Sequence, residues 1–384
     1  MSDGMKTPYY LFSAEDFKKR ISLIKKGLPD AELAFSVKAN PFLLYCLPDR
    51  DVVSHVEVCS PGELEIVKSL KIDAGRIIYS GVMKEEKDVH EAYTYGAGIM
   101  TAESIRHFEL ISNEASKGDR VPRVLLRLSS GNQFGMSDED ILKILAERDK
   151  HKVKVVGIHY YSGTAKKKLK NIEKDVESLR ELLKKAEKET GFVPSLVEYG
   201  PGLSAEYFEA PYDSVDEKLF SDVLPPIAEL GRDYHLGIEM GRFMAATAGS
   251  YFTQVMDIKE NHGVRYVIAD GGIHQLKYYG QNMAMKIPPV DVIREGEVIL
   301  TDEKVEYTVC GSLCTVADVL VRDISLPELK VGDTLKFSRC GAYSVSEGAL
   351  SFLSRDLPEI WIDDGEKKCL RESMPSWKLN TGRN

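Results

Sequence analysis

Lys38 stands directly after the apolar run Phe35-Ser36-Val37. An amine delivered from the end of a buried run can be desolvated, which lowers its pKa and frees it to form a Schiff base. Glu239-Met240-Gly241-Arg242 places one carboxylate and one guanidinium on either side of a glycine, and Gly200-Pro201-Gly202 is a second glycine turn. Backbone N–H groups in such turns, joined by a guanidinium, suit a phosphate dianion. His159-Tyr160-Tyr161-Ser162-Gly163-Thr164 adds an imidazole and two phenols, and Cys314 a thiol able to deliver a proton. Taken singly, each has a plainer reading. Lys38 is then a solvated lysine, Gly200-Pro201-Gly202 a turn, Cys314 a packing thiol and His159 a satisfied interior histidine.

What must position these groups is an alternation of short apolar runs with amphipathic stretches. Ser13 followed by Asp16 is a variant capping box, and Phe17, Ile21 and Ile24 recur at helical spacing. Eight strands are expected, at 33–37, 54–58, 76–80, 98–100, 123–128, 155–160, 196–199 and 236–240, with helices between them such as 103–116, 138–148 and 169–190. That is the arithmetic of a (β/α)8 barrel, although a doubly wound open sheet explains much of the same pattern. On the barrel reading the reactive groups fall at strand C-termini and converge on one rim, with the glycine turns and Arg242 on strands seven and eight. A phosphate cradle, a rim lysine and a rim carboxylate together suggest pyridoxal 5'-phosphate, with Glu239 facing the pyridine nitrogen.

Beyond about residue 245 the texture changes to β-rich runs at 251–258, 264–269, 297–300, 305–310, 319–324 and 334–339. The reading is a barrel domain over 13–247 and an all-β domain formed by 1–12 plus 248–384, with Pro8–Phe12 as an added strand of the latter.

The 384 residues supply material for a large core, and a net charge of −9 argues against a general nucleic-acid binder. No apolar run nears the ~18 residues that span a bilayer, and Met1–Lys6 lacks the apolar stretch of a signal peptide. The six cysteines contain no Cys-x-x-Cys pair; Cys310 and Cys314 lie four apart with no second ligand pair, so no metal is expected. A soluble, cytoplasmic protein is the expectation.

Phe35-Ser36-Val37-Lys38-Ala39-Asn40, Ser60-Pro61-Gly62-Glu63, Glu239-Met240-Gly241-Arg242, Cys314 with Asp318, and Gly341-Ala342-Tyr343 resemble the fold-type III pyridoxal-phosphate decarboxylases, which include the diaminopimelate, ornithine and arginine enzymes. The resemblance runs in the family's order along nearly the whole chain. It implies an alanine-racemase-like barrel with a β domain, and a homodimer with two shared active sites. It further implies that Lys38 binds the cofactor and that Glu239 pairs with the pyridinium. His159 and Tyr161 would flank the ring, and Gly202, Gly241, Arg242 and Tyr343 would hold the phosphate. Cys314, reaching in from the partner subunit, would return a proton to the substrate carbon. A carboxylate at 239, where family racemases use arginine, favours decarboxylation over racemisation.

Departures from the pattern fall on the substrate side, where Thr315, Asp318 and Tyr279 are the expected contacts. Thr315 replaces an acid that would meet a distal ammonium, and a hydroxyl cannot offset the desolvation of that charge. Tyr161 replaces the ring-stacking histidine, Gln133 replaces a lysine that pairs across the dimer with Asp318, and Pro201 lacks an N–H. The pattern is similar to a secondary-metabolism branch of the family. The expected activity is therefore decarboxylation of an L- or meso-configured amino acid with a neutral, acylated or carrier-tethered distal end. Diaminopimelate decarboxylation is the alternative; a racemase or a non-catalytic regulator ranks behind it.

Overall fold

A computed structural model describes residues 4–47 and 52–382. The chain divides into two compact units. One comprises Arg20–Ala205 and Asp216–Met244, the other Met1–Lys19, Glu206–Val215 and Ala245–Asn384.

After β1 (Tyr9–Ser13) and α1 (Ala14–Gly27), eight parallel strands follow in sequence: β2 (Glu32–Ser36), β3 (His55–Val58), β4 (Ile77–Tyr79), β5 (Ile99–Ala102), β6 (Arg123–Leu128), β7 (Lys154–Tyr161), β8 (Leu196–Gly200) and β9 (Leu236–Met240). They close in that order, with Ala34 of β2 opposite Glu239 of β9. The closed barrel decides against the open sheet. Between the strands run α2 (Pro61–Ser69), α3 (Glu86–Tyr95), α4 (Ile105–Lys117), α5 (Asp138–Glu147), α6 (Leu169–Thr190) and α7 (Tyr212–Asp233), and α8 (Arg242–Ala245) follows β9. Between β2 and β3 the described residues form two 3-10 turns, Val37–Ala39 and Pro41–Cys46, rather than an α-helix.

Local chemistry accounts for the helix starts. The Asp16 N–H donates to Ser13 Oγ at 3.1 Å, and Ser104 and Ser137 cap α4 and α5 through the N–H groups of His107 and Asp140. Ser60 caps α2 from the Glu63 N–H with Pro61 in the first turn. The Glu63 carboxylate accepts from the Cys59 N–H at 2.6 Å, one residue upstream of the cap whose own N–H a standard capping box would use. α2 is thereby tied to the end of β3. Ala34, Ile78, Ile99, Leu125, Val156 and Leu196 form one contiguous buried cluster contributed by six of the barrel strands.

The second unit is built on β10 (Gly249–Asn261), β11 (Val264–Ala269), β12 (Val290–Arg294), β13 (Glu297–Val298), β14 (Val305–Cys310), β15 (Val319–Leu326), β16 (Thr334–Ser338), β17 (Glu359–Asp363) and β18 (Lys367–Arg371). The sheet order is β13-β12-β16-β10-β1-β17-β18, and β11, β14 and β15 branch from β10. β1 lies antiparallel to β10 and parallel to β17, pairing Tyr9 with Phe252 and with Glu359. Glu206–Val215 belongs to this unit, where Arg339 donates from Nε to the Glu206 carbonyl and from Nη1 to Asp213 Oδ1 at 2.8 Å. The strands β12, β17 and β18 had no sequence expectation. β12 buries only Val292 and β18 nothing fully, so neither shows the alternation that marks a half-buried strand.

Among the described residues no helix is long and apolar enough to cross a membrane, and no group of three or more His, Cys, Asp or Glu side chains is placed to hold a metal ion.

Candidate active site

β2 ends at Ser36, and the 3-10 turn that follows swings Lys38 onto the barrel rim. Its Nζ lies 2.9 Å from Glu57 Oε2, 3.5 Å from Glu239 Oε1 and 3.5 Å from Cys59 Sγ. Ser36 Oγ donates to Glu239 Oε1 at 2.7 Å, and His159 Nε2 lies 3.1 Å from Glu239 Oε2. Glu57, His159 and Glu239 are all buried, whereas the Lys38 side chain is 41% exposed. The sequence expectation of a desolvated lysine is thus corrected. Its amine sits over two buried carboxylates with one side open.

Burial by itself would push the Glu239 carboxyl up. The Lys38 ammonium and the His159 hydrogen bond outweigh burial and hold it well below the usual carboxylate range. Glu239 is therefore an anion. With His159 donating from Nε2, its Nδ1 is left buried and without a hydrogen-bond partner among the described residues. One layer deeper, Glu198 of β8 stands opposite His159 and Gly237 in the ladders. Burial, followed by repulsion from Glu239 and Glu57, pushes its carboxyl well above the usual range, and its Oε1 has no hydrogen-bond partner among the described residues.

The loops after β7 and β8 form the adjoining wall. Gly202 has φ +60°, and a Cβ there would come within 1.9 Å of the Gly163 carbonyl oxygen. A Cβ on Gly200 would stand 2.7 Å from the Tyr161 ring, so the ring rests against the bare glycine backbone. Two backbone bonds stitch the loops together, Lys166 N–H to the Gly202 carbonyl at 2.9 Å and Ser204 N–H to the Lys166 carbonyl at 3.1 Å. Behind them Lys166 pairs with Asp175, which also accepts from Ser162 Oγ at 2.7 Å and Tyr199 OH at 2.9 Å. Gly241 and a mostly buried Arg242 follow β9 on the same unit.

In the β unit, Cys314 is exposed on the loop between β14 and β15, with Thr315 half-buried beside it. Asp318, expected to face substrate, is buried with both oxygens engaged by backbone. Oδ1 accepts from Ile273 N–H at 2.8 Å and Oδ2 from Leu313 N–H at 2.7 Å. This aspartate joins the Cys314 loop to the segment after β11. Tyr279 is exposed, and Tyr343 takes φ +68° in its loop.

The structure therefore brings Lys38, Glu239 and His159 together, sets Tyr161 against Gly202, and puts Cys314, Thr315 and Asp318 on one loop. Sequence reasoning placed Glu57 and Cys59 at a strand end on the rim but gave them no role, and left out Ser36 and Glu198. Glu57 and Glu198 carried a signal: each is an acid within a short apolar strand, where alternation points one side chain in two into the barrel.

Residues 14–246 match the family model described as the pyridoxal binding domain of pyridoxal-dependent decarboxylases. The chain belongs to this family. As a pyridoxal-dependent decarboxylase it is a carbon–carbon lyase acting on an amino acid, with pyridoxal 5'-phosphate as cofactor. It is 27% identical to the L-glutamyl-[BtrI acyl-carrier protein] decarboxylase of Niallia circulans over 97% of this chain and 92% of the relative. It is 26% identical to the 2-[(L-alanin-3-ylcarbamoyl)methyl]-2-hydroxybutanedioate decarboxylase of Staphylococcus aureus, covering 92% of this chain and 93% of that one. The diaminopimelate decarboxylase of M. jannaschii, solved with L-lysine, shares the fold at TM-score 0.85 and 22% identity, covering 98% of this chain and 92% of that chain.

The decarboxylase site fits this cofactor. It offers an amine at the rim, a buried carboxylate held anionic for a protonated ring nitrogen, and an adjoining wall of closely packed glycine backbone faced by the Tyr161 ring.

Proposed function

We propose that the protein decarboxylates an L- or meso-configured amino acid whose distal end is neutral, acylated or tethered to a carrier protein, in secondary metabolism. It works as a cytoplasmic homodimer with shared active sites. In this reading residues 13–247 bind the cofactor, and 1–12 with 248–384 complete the dimer and the site. The observation that carries the substrate assignment is the Cys314 loop: it presents a thiol and a threonine hydroxyl, with its aspartate already spent on backbone. Such a loop has no charge to offer a distal ammonium. The relatives named for a carrier-bound glutamyl group and for a carbamoylmethyl hydroxybutanedioate support the same reading. Dimerisation is supported by the exposure of Cys314 and of Val316, which is 96% exposed. Six free cysteines suit a reducing compartment.

When bound, pyridoxal phosphate supplies the electron sink for the pair left on the substrate's α-carbon as carbon dioxide departs. Lys38 Nζ would hold the cofactor. Glu239 would pair with the ring nitrogen, and Ser36 and His159 fix the rotation of its carboxylate. Gly202, Gly241, Arg242 and Tyr343 would hold the phosphate, and Tyr161 and His159 would contact the ring. Cys314 Sγ, contributed by the partner subunit, hands a proton to the α-carbon. Thr315, Asp318 and Tyr279 shape the substrate's distal side, Asp318 by holding the loop.

A steady-state comparison of free diamino acids with a distally acylated amino acid tests the assignment. The acylated compound should give the higher kcat/KM; equal or better values for meso-diaminopimelate, lysine or ornithine would reject it. Diaminopimelate decarboxylation is the second reading, favoured by 25% identity to the Aquifex aeolicus enzyme over 95% of this chain and 89% of that one.

A further inference from the structure

The spacing of Ile172, Val176, Leu179 and Leu183 gives α6 an apolar stripe buried in the barrel unit, and Asp175 stands within that stripe. A carboxylate in such a place destabilises the fold unless its oxygens are met. Three donors meet them. Oδ1 accepts from Ser162 Oγ at 2.7 Å, Oδ2 accepts from Tyr199 OH at 2.9 Å, and the Lys166 ammonium closes on Oδ2. Lys166 also donates to Ser162 Oγ. The Lys166 and Asp175 side chains are 9% and 6% exposed, so water screens the pair little. Burial, followed by the Asp175 charge, pushes the Tyr199 phenol up, which keeps it protonated and a donor.

These donors surround one point of the wall. Ser162 and Lys166 bracket Gly163 in the loop after β7, and Tyr199 stands directly before Gly200-Pro201-Gly202 at the end of β8. Gly163 and Gly202 are where the two loops come close enough to exclude a Cβ. The Lys166 backbone adds a bridge to Leu203 beside that contact. One carboxylate on the helix behind the wall therefore grips both loops that build it. Charge is settled at the same place. A bare carboxylate behind a phosphate would repel the dianion, and Lys166 cancels it.

We propose that Asp175 is a positioning residue for the phosphate end of the cofactor, clamping the loops after β7 and β8 in register and acting through Gly202. The proposal rests on the reading that Gly202 holds the phosphate, and names the group that sets its place. Contacts of this kind lose affinity when the side chains behind them loosen.

The test is equilibrium binding of pyridoxal 5'-phosphate and of pyridoxal, which lacks the phosphate, to the full-length protein stripped of cofactor, followed by absorbance. Asp175→Asn keeps the shape of the side chain and removes its charge. Its affinity for pyridoxal 5'-phosphate should fall by about tenfold or more, while that for pyridoxal stays within about twofold. Tyr199→Phe removes one donor and keeps the ring. It should retain the native circular dichroism and lower the same affinity ratio by about threefold. Equal losses on both compounds would reduce Asp175 to a support of the fold and overturn the proposal, as would an unchanged ratio. If Asp175→Asn does not fold, the ratio in Tyr199→Phe decides by the same criteria. If the unmutated protein binds both compounds equally well, the phosphate reading of Gly202 itself fails, and that outcome is distinct from a clamp whose loss does not discriminate.

Discussion

Gly202 lends itself to a quantitative test because an internal control exists. Gly202 and Gly191 have almost the same backbone, φ +60° and +63°, but a Cβ at Gly191 meets nothing within 4 Å while one at Gly202 lies 1.9 Å from the Gly163 oxygen. Gly191→Ala should therefore show only the cost of a left-handed alanine, about 1–2 kcal/mol. Gly202→Ala has the same cost plus a forced separation of more than 1 Å between the loops after β7 and β8, worth a further ~1–3 kcal/mol as overpacking. Opening that gap also breaks the 2.9 Å and 3.1 Å backbone bonds through Lys166. At about 2–4 °C per kcal/mol for a unit of this size, Gly202→Ala should melt about 2–12 °C below Gly191→Ala. It should also bind pyridoxal phosphate about tenfold more weakly, since the glycine wall is displaced. The assay is thermal unfolding by circular dichroism alongside cofactor titration by absorbance. Equal melting of the two variants with unchanged cofactor affinity would refute both the contact and its role.

Glu239→Gln keeps the shape of the buried cluster but removes the anion, and decarboxylation should fall by about a hundredfold or more; near-normal turnover would count against pairing with the ring nitrogen. Cys314→Ala should slow turnover or misplace the product's proton with the cofactor spectrum intact, and an unchanged rate and product stereochemistry in deuterium oxide would remove the thiol from the mechanism. Glu198, buried with its carboxyl pushed well above the usual range, should show the deuterium-sensitive C=O stretch of a neutral carboxylic acid in infrared difference spectra against Glu198→Gln; the absence of that band at neutral pH would mean the carboxylate is ionised. At the opposite end of the barrel, His55 and His235 hydrogen-bond Glu32 at 2.7 and 2.9 Å and lower its pKa to about 2. A depressed acid stabilises above its unfolded pKa of about 4.5, and that gain fades as pH falls from there toward 2. With the side chain a third exposed, the gain is discounted to about 1–2 kcal/mol. Glu32→Gln should lose it at neutral pH and flatten the urea midpoint across that window; a parallel acid limb in both proteins would contradict it.

The barrel was legible because each strand is short and apolar and most are separated by helical stretches, so eight strands could be counted from pattern alone. Lys38 and Glu239 could be paired because both stand at the ends of such strands. Glu57 was placed on the rim without a role, and Glu198 was not seen. A buried acid inside an apolar run looks like a pattern error until the facing strand is known, and their neighbours come from β2, β7 and β9, which sequence spacing does not juxtapose. The β unit was read less fully: β12 and β18 bury almost nothing, and β17 is joined to the rest of the sheet through β1, a strand far upstream. Asp318 shows the limit of type-based reasoning, since its two engaged oxygens depend on loop paths the sequence does not reveal.

β1 is made before the barrel, yet its partners β10 and β17 come from beyond it, Tyr9 meeting both Phe252 and Glu359. During synthesis the closed barrel, completed by Met240, can form while this opening strand still waits with two unpaired edges. Ribosome-stalled chains ending just after the barrel should therefore be the species most in need of a chaperone, and a circular permutant that opens at Ala14 and carries β1 at its far end would relieve that wait.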